Sequence, residues 1–213
     1  MKKIILSVLL IISILLIVRS LSPDLFDDGL AAYNSGNKQK ASKLWDKACD
    51  EGDASACYNS GFIYLTGKGV SQDKQKAAKL FITACEDGYS AGCYNSGLMY
   101  STGDGVGQDK QKALKLYTKA CDAGAINGCN ELGFIYFNGD GVGQDKQKAA
   151  KLFIKSCNGG NISACHNSGH MYSEGDGVGQ DKQKAKELFK KACDGGNKTS
   201  CKNYKILDRQ AVS

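Results

Sequence analysis

Ten cysteines in two series, each repeating every 36 residues, constrain the fold of this chain more than any other feature of its sequence. The second series follows the first by eight residues, so each copy of the repeat carries one Cys-x7-Cys pair. The first series comprises Cys49, Cys85, Cys121, Cys157 and Cys193, and the second comprises Cys57, Cys93, Cys129, Cys165 and Cys201. A fixed internal period of this length is typical of solenoids made of stacked repeats.

The N-terminal segment has the pattern of an export signal. Lys2 and Lys3 precede a 15-residue apolar run, Ile4 to Val18, which only two serines interrupt. A membrane span needs about 20 residues, so the run fits a signal-peptide core, with an uncleaved anchor as the alternative. We expect cleavage after Ser20 and a secreted or periplasmic mature chain, residues 21–213, without a stable membrane span.

In an exported chain, an even number of cysteines favours disulfides over free thiols. A metal site is the alternative. Structural zinc usually takes cysteines two to four residues apart, or histidines among them, and neither pattern occurs here. Pairing within each copy gives every repeat the same local chemistry. The sequence therefore predicts the disulfides 49–57, 85–93, 121–129, 157–165 and 193–201, and no metal.

The net charge gives no reason to expect nucleic acid as a partner. The whole chain carries +6, and residues 1–20 contribute three cations and no anion, which leaves +3 on the mature chain. Lysines recur in the Lys-Gln-Lys segments at one fixed position of the repeat. We expect them to form a solvated helix face rather than the basic stripe that phosphate binding requires.

Each copy of the repeat indicates two helices. Residues 55–64 combine small and apolar side chains in a short first helix, and Gly67 and Gly69 predict the turn that ends it. Asp73 is placed to cap the second helix. Between residues 77 and 85, apolar side chains recur at i, i+3, i+4, i+7 and i+8, which is one face of an amphipathic helix.

The sequence thus predicts an all-α fold, a right-handed α/α solenoid of 36-residue helix-turn-helix repeats with one disulfide per repeat. The last helix should cap the stack, because Lys202, Lys205 and Arg209 break the small-residue pattern and put charge on it. We expect the protein to be a monomer. The predicted boundaries are an N-terminal cap pair at 25–51, repeats at about 54–88, 90–124, 126–160 and 162–196, and a C-terminal cap helix at 198–209.

Four elements of the repeat resemble those of Sel1-like repeats, which are related to tetratricopeptide repeats. They are Gly61-Phe-Ile-Tyr64, Gly67-Lys-Gly-Val70, Asp73-Lys-Gln-Lys-Ala77 and Ala84-Cys-Glu-Asp-Gly88. With the added Cys-x7-Cys pair, residues 25–205 are similar to the Helicobacter cysteine-rich protein family. That resemblance implies a secreted, penicillin-binding protein with β-lactamase-like activity, whose ligand is a β-lactam or a cell-wall-derived small molecule.

The sequence contains no complete lactamase motif to support that activity. Ser35–Lys38 and Ser71–Lys74 match the Ser-x-x-Lys of serine lactamases, but the companion Ser-Asp-Asn and Lys-Thr-Gly motifs do not occur. His166 and His170 are spaced as a metal-binding pair on a helix, without a third ligand nearby in the sequence. We therefore name no catalytic residue and no cofactor, and leave open whether the protein is an enzyme.

A ligand site is predicted on the first helix of each repeat, where one set of positions varies while the stacking positions do not. In tetratricopeptide-like solenoids this helix lines a concave groove, so variable bulky residues there suggest a surface that binds a peptide or a host protein. Packing against the next repeat is the alternative. The varying positions, spaced i, i+4, i+7, are Tyr58, Phe62, Leu65; Tyr94, Leu98, Ser101; Asn130, Phe134, Phe137; and His166, His170, Ser173.

The residue two places after each second cysteine is a further candidate. It is Asn59, Asn95, Asn167 and Asn203 in four copies and Glu131 in the other. An asparagine can pair with both amide groups of an extended peptide, as groove asparagines do in related solenoids; capping or bonding of a neighbouring turn is the alternative. Two functions remain, slow β-lactam binding and hydrolysis by resemblance, or a non-enzymatic scaffold for peptides or proteins. A purely structural envelope protein would leave the aromatic residues unexplained.

Overall fold

The computed structural model describes residues 24–210, so the signal peptide predicted for residues 1–20 lies outside the described part. Helices succeed one another along these residues, and none of them forms a strand. The eleven helices are α1 (Leu25–Asn34), α2 (Lys38–Asp50), α3 (Ala54–Thr66), α4 (Lys74–Glu86), α5 (Ser90–Thr102), α6 (Lys110–Asp122), α7 (Ile126–Asn138), α8 (Lys146–Asn158), α9 (Ile162–Glu174), α10 (Lys182–Asp194) and α11 (Lys198–Gln210).

The helices pack in antiparallel pairs, α1 with α2 through α9 with α10, and each second helix also packs on the first helix of the next pair. This arrangement confirms the predicted all-α solenoid. The bounds of its second helices follow from local chemistry: the carboxylate of Asp73 accepts a hydrogen bond from the Lys76 backbone N–H at 2.8 Å, which confirms the predicted cap. Asp109, Asp145 and Asp181 repeat that contact for α6, α8 and α10.

The core of each repeat is one buried aromatic ring of the second helix, set against a glycine of the first. A Cβ atom added at Gly133 would lie 2.7 Å from Phe153 Cε1, so only a hydrogen fits between the two helices. The same pairing recurs in four repeats, with Gly61 against Phe81, Gly97 against Tyr117, Gly133 against Phe153 and Gly169 against Phe189.

Five disulfides join the end of each second helix to the start of the next first helix, one per repeat, and their pairing is the predicted one. Their Cα–Cα distances are 4.5 to 4.6 Å. Small residues such as Ala84 and Gly92 lie beside the bridges and let the two helices approach closely. Each bridge closes a short loop and so lowers the entropy of the unfolded chain, which stabilises the fold by roughly 2–3 kcal/mol.

The first lysines of three Lys-Gln-Lys segments form ion pairs between repeats while their side chains stay partly exposed to solvent. Lys74 Nζ lies 2.6 Å from Asp104 and Lys146 Nζ 2.8 Å from Asp176, and Lys110 pairs with Asp140 in the same way. Each carboxylate belongs to the glycine-rich connector of the next repeat. That connector packs directly over the start of the second helix, so the ion pairs run from repeat to repeat.

In three of the segments the second lysine instead binds within its own repeat. Lys148 Nζ donates to the Tyr136 hydroxyl at 2.7 Å and lies 3.9 Å from the centre of that ring. Lys112 with Tyr100 and Lys184 with Tyr172 make the same contact. The lysines thus tie helices together while their side chains stay partly exposed.

The last helix, α11, packs on α10, and its role as a cap of the stack stays a prediction. Lys205 occupies the place that a glycine takes in the repeats, and Lys186 Nζ pairs with Asp208 at 2.6 Å. Across residues 24–210, no helix has the length and apolar character needed to cross a membrane.

Candidate functional site

The predicted ligand-binding positions follow one another along the first helices α3, α5, α7 and α9. Three apolar side chains at equivalent positions stay well exposed: Phe62 at 41%, Leu98 at 41% and Phe134 at 37%. Apolar side chains are more often covered, and these three exposed ones occupy the same register in successive repeats, so they form an apolar row. We call this row, with the other varying positions given above, the first-helix stripe.

Part of the first-helix stripe packs inside the solenoid, as the alternative interpretation held. The Tyr58 ring lies 5.6 Å from Phe81 and 5.0 Å from Tyr89, and the Tyr94 ring lies 6.1 Å from Tyr117. These distances are those of ordinary aromatic packing. Both tyrosines are half-buried, so they back the surface that Phe62 and Leu98 expose.

Five of the predicted residues come together in one pocket between α7 and α9, with a volume of about 140 Å³. We call it the α7–α9 pocket. The Phe134 ring meets the buried Phe153 ring edge-on at 5.1 Å. The pocket is lined by Phe134, Phe137, Phe153, His166, Asn167, His170, Met171 and Asp176.

The two histidines have different surroundings in the α7–α9 pocket. His166 is half-buried, its Nδ1 lies 2.8 Å from the Ser200 hydroxyl, and its ring packs 5.8 Å from Phe189. Burial, and then the neighbouring charge of His170, lowers the pKa of His166 below its ordinary 6.5. His166 is therefore neutral at pH 7. No group of three or more His, Cys, Asp or Glu side chains able to hold a metal ion occurs within residues 24–210.

The asparagine row does not cap the helices. The first helices α3 and α9 begin after Asp53 and Asn161, whose side chains accept the free backbone N–H groups. Asn59, Asn95 and Asn167 lie further along their helices and are half-buried. The side chains of these three asparagines therefore do not cap the starts of their helices.

Two buried polar atoms in this region lack a hydrogen-bond partner. They are Asn130 Oδ1 on α7 and Asn167 Nδ2 on α9, and no other buried side-chain N or O atom of residues 24–210 is left unpaired. An unpaired buried group costs about 1–3 kcal/mol. One atom is an acceptor and the other a donor, and both lie on helices that border the α7–α9 pocket.

One ion pair lies at the edge of the pocket. Lys146 Nζ contacts Asp176 at 2.8 Å and lies 5.3 Å from the centre of the Phe137 ring. Sequence reasoning missed Asp176, Phe153 and Met171 as lining residues. Phe153 and Met171 follow the periodic core pattern, which gives no sign of a nearby pocket, and Asp176 belongs to a connector whose position depends on repeat stacking.

The Ser-x-x-Lys matches have no nucleophile geometry. The Ser35 hydroxyl donates to the Ala32 carbonyl at 2.9 Å, which is a local helix-end contact. Ser71 is exposed in a connector, and Lys74 pairs with Asp104 of the next repeat. A serine nucleophile needs a base within hydrogen-bond reach, and neither serine has one.

The chain matches the family described as Sel1 repeat over residues 25–53, 54–89, 90–124, 126–161 and 162–197. A solved Sel1 repeat protein from Oxalobacter formigenes is 28% identical, with 86% of this chain and 80% of that chain covered and a TM-score of 0.75. No curated protein sequence matches the chain.

Two further solved structures are similar. The protein c5321, described as a protective antigen of uropathogenic Escherichia coli with an SLR fold, is 30% identical, with 89% of this chain and 41% of that chain covered and a TM-score of 0.85. Helicobacter pylori cysteine rich protein B is 32% identical, with 61% of this chain and 93% of that chain covered and a TM-score of 0.51. Because five consecutive matches span nearly all of the described helices, this chain belongs to the Sel1 repeat family, a family of scaffolds for protein–protein interaction.

Proposed function

We propose that this protein is a non-enzymatic scaffold that binds an extended peptide, or an extended segment of a protein, along the first-helix stripe. The α7–α9 pocket is the main anchor point. Five disulfides in a chain of this size fit an extracytoplasmic protein, because such bridges persist in oxidising compartments. Secretion through cleavage after Ser20, and the monomeric state, stay predictions.

The observation that carries the proposal is the row of exposed apolar side chains at one register, Phe62, Leu98 and Phe134, and two unpartnered amide atoms lie on the helices beside it. Asn130 Oδ1 needs a donor and Asn167 Nδ2 needs an acceptor. Both atoms are buried in the free protein, so a peptide backbone, with its N–H and C=O groups, can bind them only after the two amide side chains rotate towards the surface. Binding would then remove a cost that the free protein carries, which favours a peptide over a purely apolar ligand.

The apolar contacts of the site fit the same ligand. The α7–α9 pocket has room for one apolar side chain, with Phe134 and Phe153 as its aromatic wall. Peptide-binding surfaces commonly combine backbone hydrogen bonds with a few pockets for side chains. The exposed Phe62 and Leu98 extend the apolar row along the preceding repeats.

The test is a peptide selection on the full oxidised chain, followed by affinity measurements. Peptides taken from a random display library should bind wild type about tenfold or more tighter than a variant carrying Phe134→Ala and Asn167→Ala. Gln75→Ala, an exposed change on the connector side of α4, is the matched control and should bind like wild type. Equal affinities for all three proteins would show that the peptides bind elsewhere.

β-Lactam binding or hydrolysis, the other prediction, rests on family resemblance alone. The described residues add no nucleophile, base or metal site in its support. A chromogenic cephalosporin assay separates the two functions. We expect the same slow background turnover from wild type and from a variant with His166→Gln and His170→Gln; faster turnover by wild type would favour an enzyme.

A further inference from the structure

Glu131 stands out when the repeats of this chain are compared with one another. The row two places after each second cysteine holds asparagine at 59, 95, 167 and 203, and a carboxylate only at 131. Over positions 58, 59, 62 and 65 and their equivalents in the next three repeats, Glu131 is the one Asp, Glu, Lys or Arg. A charge in an otherwise uncharged stripe constrains what can bind there.

Glu131 is not held by an ion pair of the solenoid. Asp104, Asp140 and Asp176 of the connectors each pair with a lysine, whereas Glu131 forms no ion pair with any described side chain. Its Oε1 accepts one hydrogen bond, from Asn130 Nδ2 at 3.2 Å. That bond turns the Asn130 amide so that its oxygen is the unpartnered atom.

The surroundings of Glu131 are aromatic rather than basic. Burial first, and then the charge of Glu131, raises the pKa of the Tyr94 and Tyr117 hydroxyls, so both phenols stay neutral. The side chain of Glu131 is only half-buried. It therefore combines a negative charge, partial access to solvent and two neutral ring neighbours.

We infer that the stripe is specific for peptides carrying a lysine or arginine that pairs with Glu131, close to an apolar residue that fills the α7–α9 pocket. This inference rests on the proposed function and names its ligand class. Glu131 and Phe134 are three residues apart on α7, about 4.5 Å along the helix. Side chains on one face of an extended peptide are two residues apart, about 6.7 Å, so the basic residue should stand two positions from the apolar one.

The experiment uses random-library peptides selected on the full oxidised chain. Selected sequences should be enriched in a basic residue two positions from a large apolar one. Replacing that basic residue by norleucine should weaken binding about threefold to tenfold at low salt, as an ion pair of partial exposure allows. Glu131→Asn introduces the residue that the other repeats carry, so it should fit the fold. This variant should bind the basic peptide and the norleucine peptide with equal affinity. Glu86→Gln, an exposed change on α4, should keep the wild-type difference in affinity between the two peptides.

The outcomes separate the inference from the function on which it rests. If no peptide is enriched over a reduced and unfolded control, the proposed function fails. If peptides bind at the α7–α9 pocket without a basic residue, or if Glu131→Asn leaves the preference for the basic peptide intact, the scaffold function stands and the role of Glu131 is overturned.

Discussion

The contact between Gly133 and Phe153 determines how closely the two helices of a repeat approach. The ring is 1% exposed and lies where a Cβ atom would have to stand. The same contact holds one wall of the α7–α9 pocket, because Phe134 packs on the other edge of that ring. A single missing methyl group therefore links the packing of the repeat to the shape of its ligand site.

Gly133→Ala should lower the free energy of unfolding by about 1–3 kcal/mol, because the added methyl overlaps a ring that has no space to move. Gly143→Ala is the matched control. Its Cβ would meet nothing within 4 Å and its backbone φ is not in the left-handed region, so the change should be neutral or slightly stabilising. Urea denaturation measures both, and equal stability of the two variants would contradict the packing account.

The lowered pKa of His166 makes stability depend on pH in a defined direction. The unfolded state, with an ordinary pKa of 6.5 for this side chain, binds the proton more readily than the folded state. The contribution of neutral His166 to the free energy of unfolding is therefore present above pH 6.5. It is lost as the pH falls below 6.5 towards the pKa of His166 in the folded protein. NMR titration of the imidazole should give a value below 6.5.

Replacing the second histidine checks the causes of that shift. His170→Gln should raise the pKa of His166 only part of the way back, since burial is the larger cause. An imidazole of His166 that titrates at or above 6.5 in the wild type would refute the described environment.

At the scale of helices, one carboxylate joins three elements at the N-terminal end of the solenoid. Asp46 on α2 accepts hydrogen bonds from the Tyr64 hydroxyl at 2.9 Å and from Lys76 Nζ at 2.7 Å, and also from the Ser60 hydroxyl. Burial lowers the pKa of Lys76, but its hydrogen bonds to Asp46 and Tyr64 and the charge of Asp46 outweigh burial and raise it overall. The later repeats have no acid at this position.

Asp46→Ala should destabilise the protein by about 1–3 kcal/mol, because it leaves a lysine, a tyrosine and a serine without their shared acceptor. Asp50→Ala, at the exposed end of the same helix, is the control and should change stability by less than about 0.5 kcal/mol. Thermal unfolding followed by circular dichroism compares the two. A loss of the same size at both positions would contradict the role given to Asp46.

Sequence reasoning succeeded for elements whose signals are local. The cap at Asp73 and the turn glycines act within a few residues of the chain, so their patterns can be read in one repeat. Contacts such as Lys146 with Asp176 join residues 30 positions apart in different repeats. Nothing within a single repeat reveals such a partner, so these ion pairs could not be predicted from the sequence.

On the scale of the whole molecule, the 36-residue period predicted the solenoid and its disulfides, because stacking identical units leaves few alternatives. The position of the α7–α9 pocket did not follow from the same period. The four repeats share one backbone pattern, yet the pocket forms where Phe134, Phe137 and His170 replace other side chains and a connector aspartate closes the edge. The pocket depends on distances between neighbouring repeats that only the folded molecule provides.

The most direct test of the scaffold account is NMR shift mapping of the full oxidised chain with a peptide selected on it. The account predicts that amide shifts change on α7 and α9, around Phe134, Asn167 and His170, with a smaller effect around Leu98. Changes concentrated instead in the connectors, around Gly103 and Val106, or the absence of any localised change, would contradict it.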